Sequence, residues 1–270
     1  MTKYHLVLFY SEGLPNDNGK DLSHCRDIIL KEASPHFDNI TFYTPQILKD
    51  MGYGWYVKER KKGLVRKNPG MNNIGNCSWR PLIMLLELEK MAEGDILLYR
   101  DSNPDKKKRN GTLLNYNNIR SIINDCLDTC QFDFFVPREG GNKKLLYTTK
   151  SNVLRELGDD HPFSYHFPIL FSGLLTIARK SAVSLELLNE WKQACEKEEW
   201  IDGEIYGEQH SGFWWQCPEQ SILGVIISNW IRKEKHNIPL KYPFITFGGA
   251  QLVNKSLFHD YKYLEYLKKN

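Results

Sequence analysis

Residues 78–103 constrain this chain more than any other stretch. Ser78-Trp79-Arg80-Pro81 opens a run of apolar residues at helical spacing that reaches Met91, with a proline near the first turn where helices tolerate one. Gly94-Asp95 then makes a turn, and Ile96-Leu97-Leu98-Tyr99 is an apolar run of strand length. Arg100-Asp101-Ser102-Asn103 follows as a short acidic turn. Asp101 and Asn103 are a carboxylate and an amide two residues apart, past the carboxyl end of a strand. Such a pair can face one cation that prefers oxygen ligands. Held by so few side chains, that cation keeps positions open for a diphosphate.

Strands and helices alternate through the rest of the chain, which predicts α/β architecture. The expected strands are His5–Tyr10, Asn39–Tyr43 and Phe132–Val136, then an apolar strand region over Pro168–Ala178 with Ser172-Gly173 inside it, and Phe244–Phe247. Glycine within a strand marks a bulge or a close approach by a ligand or backbone. The expected helices are Asp21–Ala33 (with Ile28, Ile29 and Leu30 toward the core), Ile119–Leu127, Ser151–Leu157, Val183–Cys195, Pro218–Trp230 and Leu257–Leu267. Residues 51–76 are basic and glycine-rich and read as a long loop beside a site. No internal repeat or low-complexity linker divides the 270 residues, so one domain is expected, with halves of about 1–103 and 104–270.

A net charge of +3 with both signs mixed gives no case for a nucleic-acid groove. No apolar run approaches the ~18 residues of a membrane helix. Met1 leads almost directly into the first strand without a signal-peptide pattern, so a cytoplasmic protein of a bacterium or a virus-infected cell is expected. The basic residues 57–67 allow a peripheral membrane contact. The six cysteines lack metal spacing and read as reduced thiols.

The order of helix, Gly-Asp, apolar strand and Asp101-x-Asn103 resembles nucleotide-sugar-dependent glycosyltransferases of the GT-A fold, where the turn is usually Asp-x-Asp. Phe171-Ser172-Gly173-Leu174-Leu175 and Pro218-Glu219-Gln220-Ser221 are similar to later motifs of the glycogenin-like and bacterial lipopolysaccharide galactosyltransferase-like members and their viral relatives. The resemblance implies a Rossmann-related, three-layer α/β/α domain around a mixed, mostly parallel sheet. It implies transfer of a sugar from a nucleoside diphosphate sugar, a UDP-sugar favoured, to a hydroxyl of a glycan or glycoconjugate, assisted by Mn²⁺ or Mg²⁺.

Carried onto this chain, the resemblance makes Asp101, Asn103 and, as third ligand, His259 the metal set, with His210 second to His259. Tyr10, Ser11, Thr44, Arg80, Asp101 and Ser102 fall on the donor side; Tyr10, Ser11 and Thr44 rest on position at strand ends and on the resemblance alone. A guanidinium suits phosphate geometry, and Arg80 reads equally as a solvated helix residue. Glu219 and Gln220 stand at a helix start, where the dipole favours a Glu for structural reasons as well. The resemblance makes Glu219 a base toward the acceptor if the reaction inverts, and Gln220 a neighbour of the anomeric carbon if it retains. Ser172 and Gly173 would lie beneath acceptor and donor sugar. Trp214 and Trp215 could stack on acceptor rings or simply form a hydrophobic cluster. A nucleotidyltransferase with Gly13–Lys20 as its triphosphate loop, and a glycan-binding protein without turnover, are the rival readings.

Overall fold

The computed structural model describes residues 1–11, 23–61, 72–102, 116–139, 143–173, 175–205, 207–242, 245–248, 251–254 and 258–270. The Gly13–Lys20 loop of the rival reading lies outside them. In chain order the elements are β1 (Tyr4–Phe9), α1 (Ser23–Ala33), β2 (Asn39–Tyr43), α2 (Pro45–Asp50), β3 (Glu59–Lys61), β4 (Asn72–Ile74), α3 (Trp79–Lys90) and β5 (Ile96–Tyr99). They continue with α4 (Ile119–Cys130), β6 (Phe134–Phe135), α5 (Ser151–Glu156), α6 (Pro162–His166), β7 (Thr176–Arg179), α7 (Ala182–Cys195), α8 (Glu198–Ile201), α9 (Pro218–Arg232), β8 (Ile245–Gly248), β9 (Gln251–Asn254) and α10 (Phe258–Lys269).

The central sheet has the order β2-β1-β5-β7-β6. β1 runs parallel to β2 and β5, while β7 is antiparallel to both β5 and β6, so four of the five strands point one way. All four residues of β5 and most of β1 are buried, as strands covered on both faces require. The Gly94-Asp95 turn aligns them: Asp95 Oδ1 accepts from the Lys3 backbone N–H at 2.9 Å, and the Lys180 N–H donates to the Asp95 carbonyl at 2.7 Å. α3 packs on β1 and β5 and also against α7, which in turn meets α9. Its burial therefore goes almost all the way round, from Trp79 to Leu85 and on to Glu87 and Leu88. No helix among the described residues is long and apolar enough to cross a membrane.

Several elements differ from the sequence reading. Ile28 is exposed and Ile29 alone of its trio is fully buried, because α1 presents only a narrow stripe inward. Ser172-Gly173 sits in a turn ahead of β7 rather than inside a strand. Residues 51–76 are not one long loop. Gly54–Val57 is a 3-10 turn with Tyr56 and Val57 buried, β3 pairs with β4, and Gly75–Cys77 is a second 3-10 turn. Gly75 has φ +60°, and a side chain there would collide with the Tyr56 carbonyl oxygen. Arg60 is buried against Trp55, its guanidinium forked onto Glu198 with both bonds at 3.1 Å, and Lys58 and Lys61 pair with Glu198 and Glu204. Those carboxylates, about 140 positions away, pair with all three basic residues; Arg60 is buried, while Lys58 and Lys61 stay exposed.

β2 is tied to α3 through Glu87, which accepts from Tyr43 at 2.6 Å, Thr41 at 2.8 Å and Lys90 at 2.8 Å. Burial opposes its charge, and the bonds from Lys90, Tyr43 and Thr41 outweigh burial, so its carboxyl titrates below the ordinary glutamate range. A depressed carboxyl contributes stability above its unfolded pKa and loses it as pH falls through the folded one. Glu87→Gln is therefore expected to lower stability at pH 7 by roughly 1–2 kcal/mol. The gap to wild type should close in urea titrations at progressively more acidic pH. A gap unchanged between pH 7 and pH 3 would show that the charge of Glu87 is not what stabilises.

Candidate functional site

Parallel strands bring their carboxyl ends to one edge of the sheet, and the antiparallel β7 brings its amino end to the same edge. Tyr99 at the end of β5 is in register with Thr176 at the start of β7. Asp101, just past β5, and the Ser172-Gly173 turn, just before β7, are therefore neighbours. The Asp101 N–H donates to the Gly173 carbonyl at 2.9 Å, and Thr176 Oγ1 donates to the Ser172 carbonyl at 2.7 Å. The first turn of α3 brings Arg80 to this edge and the first turn of α9 brings Glu219. Trp79 stacks on Phe9 with centroids 3.7 Å apart, and Trp191 Nε1 of α7 donates to the Glu219 carbonyl at 2.8 Å.

Arg80 is the hub. Nη2 donates to Asp101 Oδ1 at 3.0 Å, Nη1 donates to Ser172 Oγ at 2.9 Å, and the guanidinium also pairs with Glu219 Oε1. Ser172 Oγ donates to the same Glu219 oxygen at 3.0 Å, and Tyr99 Oη donates to Asp101 Oδ1 at 2.6 Å. The Arg80 and Glu219 side chains are only 5% and 7% exposed, against 33% for Asp101. Burial works against the Arg80 charge, and the facing Tyr99 and Asp101 overcome it, so the guanidinium is held more firmly protonated than usual. Burial, with Asp101 beside it, raises the Tyr99 hydroxyl well above its ordinary range and keeps it a donor. One cation thus faces two carboxylates. Among the described residues, Asp101 Oδ2 and Glu219 Oε2 accept no hydrogen bond.

Gly173 lies against the Asp101 carboxylate: a Cβ on it would sit 3.1 Å from Cγ and closer still to Oδ2. The glycine that the sequence marked for a close approach is thus explained by a side chain of the site itself.

The remaining candidates are spread along the same edge and beyond it. The Tyr10 N–H donates to the Tyr43 carbonyl at 2.9 Å, and its ring is buried against Phe42. Ser11 is half-buried and Ser102 buried. Thr44 caps α2, its hydroxyl accepting from the Ile47 N–H at 3.2 Å, so part of its capacity is already used. Gln220 is buried in the first turn of α9. Trp214 is exposed and stacked on Tyr147, and the Lys143 ammonium lies over the Trp215 ring. His210 Nε2 faces the Thr149 carbonyl, a structural contact.

Of the metal set, Asn103 lies outside the described residues; His259 falls within α10, but its side chain is not among those described. No group of three His, Cys, Asp or Glu suited to a metal occurs among the described residues. Arg80 and Tyr99 hold Asp101 Oδ1, while Oδ2 lies against Gly173 without a hydrogen bond among the described residues, so Oδ2 is the atom with which Asp101 could hold a metal.

Two further residues have partners that their sequence setting did not disclose. Tyr99 looked like a core strand residue, yet residues two apart on a strand share a face, and that spacing links it to Asp101. Lys150 is wholly buried, its ammonium donating to the Asp202 carboxylate at 3.2 Å and to the Glu204 carbonyl at 3.2 Å. Burial lowers its pKa and Asp202 restores part of it; the lysine anchors the segment after α8. Searches against protein-family models, curated proteins and solved structures find no match for this chain.

Proposed function

We propose that this chain is a glycosyltransferase that moves a sugar from a nucleoside diphosphate donor to an acceptor hydroxyl. The observation that carries this reading is Arg80, buried between Asp101 and Glu219 at the carboxyl edge of the parallel strands, where open α/β sheets bind ligands. A fixed cation between two carboxylates, each with one oxygen spare, suits a reaction in which a proton and a diphosphate part in opposite directions. The bond from the acceptor oxygen to the anomeric carbon forms. The bond from that carbon to the diphosphate oxygen breaks, and its electron pair leaves with the diphosphate. Glu219 Oε2 takes the acceptor proton, and Ser172 and Arg80 orient that carboxylate through Oε1. Gln220, the next residue of α9, is the neighbour of the anomeric carbon if the reaction retains instead. Asp101 would hold Mn²⁺ or Mg²⁺ through Oδ2, and a cation bound there would neutralise the leaving diphosphate.

The test is a thermal-shift and hydrolysis screen of UDP-, GDP-, dTDP- and CMP-sugars with and without Mn²⁺. One donor should stabilise the protein and slowly release its nucleotide, and Asp101→Ala should cut that release by on the order of 100-fold. Silence across all donors from folded protein, or full turnover by Asp101→Ala, defeats the reading. Release of pyrophosphate from a nucleoside triphosphate supplied with a sugar 1-phosphate would instead identify a nucleotidyltransferase.

A further inference from the structure

Trp214 is 58% exposed, yet its ring has a partner. Its indole stacks on the half-buried Tyr147 ring with centroids 4.6 Å apart and planes 19° from parallel. The N–H groups of Trp214 and Trp215 both donate to the Tyr147 carbonyl, at 3.0 and 3.2 Å. Downstream, Gln216 Nε2 donates to the Trp200 carbonyl at 3.0 Å and the Cys217 N–H to the Thr148 carbonyl at 3.1 Å. The ribbon is therefore pinned at each step from Trp214 to the start of α9. One indole face is backed by protein and the other meets solvent. The polar Gln209, His210 and Ser211 make the preceding turn, which closes through the Phe213 N–H onto the His210 carbonyl.

We infer that Trp214 is a glycan-binding platform that takes a sugar ring of an extended acceptor, away from the reacting hydroxyl. A pyranose offers an apolar C–H face ringed by hydroxyls, and an exposed aromatic held on one face by a second ring complements it. A protein partner would instead call for a contiguous apolar patch. Five residues separate Trp214 from Glu219, a chain reach of at most about 17 Å. That upper bound keeps the platform within range of an oligosaccharide whose end lies at Glu219. The acceptor class named here rests on the transferase reading.

The test needs no donor, so its failure is separable from failure of the transferase reading. Wild type, Trp214→Ala and Trp214→Tyr are applied to immobilised glucose, galactose, lactose, cellotriose and maltotriose, and their sedimentation is measured in parallel. Wild type should be retained on at least one oligosaccharide more strongly than on either monosaccharide. Trp214→Ala should bind it roughly tenfold more weakly, and Trp214→Tyr should recover most of that loss. The inference is overturned by equal retention of wild type and Trp214→Ala, by no retention on any of the three oligosaccharides, or by a wild-type oligomer that Trp214→Ala dissociates. The last outcome would assign this face to a protein contact.

Discussion

Arg80→Met is expected to destabilise the fold by about 3–5 kcal/mol and to abolish donor turnover. Among the described residues the guanidinium is the one cation that meets both Asp101 and Glu219, and Glu219 is nearly as buried as Arg80 itself. Removing it leaves the buried Glu219 carboxylate with the Ser172 hydroxyl as its remaining donor among the described residues, and a buried charge without a counter-charge costs far more than the pair is worth together. Urea unfolding reads the loss directly. Pairing Arg80→Met with Glu219→Gln removes the stranded charge, and the double variant should regain much of the stability and none of the activity. An Arg80→Met protein that unfolds at the wild-type midpoint would mean that the guanidinium is not holding these carboxylates.

Gly173→Ala is expected to do the reverse, sparing most of the fold while damaging the chemistry. The added methyl presses on the Asp101 carboxylate, whose Oδ1 is fixed by Arg80 and Tyr99 and whose backbone N–H is fixed by the Gly173 carbonyl. The carboxylate can only turn away, taking Oδ2 from its place. Displacement of a reacting or ligating group by about 1 Å costs on the order of 100-fold in turnover, while overpacking costs about 1–3 kcal/mol of stability. Gly54→Ala is the control, since its Cβ would make only an ordinary contact with Lys49 at 3.7 Å. Equal donor turnover by Gly173→Ala and Gly54→Ala would show that the placement of Asp101 does not matter to the reaction.

Much of this arrangement was legible in the residues. The apolar runs of β1 and β5 announced strands buried on both faces, and Pro81 and Pro218 marked the first turns of α3 and α9. Asp101, Ser172, Gly173 and Glu219 were read as belonging to one site, and they do meet. Arg80 was read as a diphosphate ligand or a solvated helix residue; the structure overturns the second, burying it among partners that stand 21, 92 and 139 positions further on. Pairings over such separations leave no local pattern. The same blindness made a loop of residues 51–76, where Arg60 depends on Glu198. Ser172-Gly173 was placed inside a strand because hydrophobicity runs on from Pro168 to Ala178, and hydrophobicity does not report where backbone pairing begins. Trp214 carried no sign of whether it would be buried, since exposure follows from what Tyr147 brings beneath it.

The strand order has a consequence for how the molecule comes into being. β7 lies between β5 and β6 in space but follows both in sequence. As the chain leaves the ribosome, β1, β2 and β5 can assemble first, and the flank of β5 then waits without a partner until Thr176–Arg179 emerges. β6 pairs with β7 alone in this sheet, so it too must wait. During that interval the nascent chain presents an apolar, unpaired edge, the kind of surface that chaperones shield and that joins wrongly to other chains. A product ending before residue 176 would keep that edge for good.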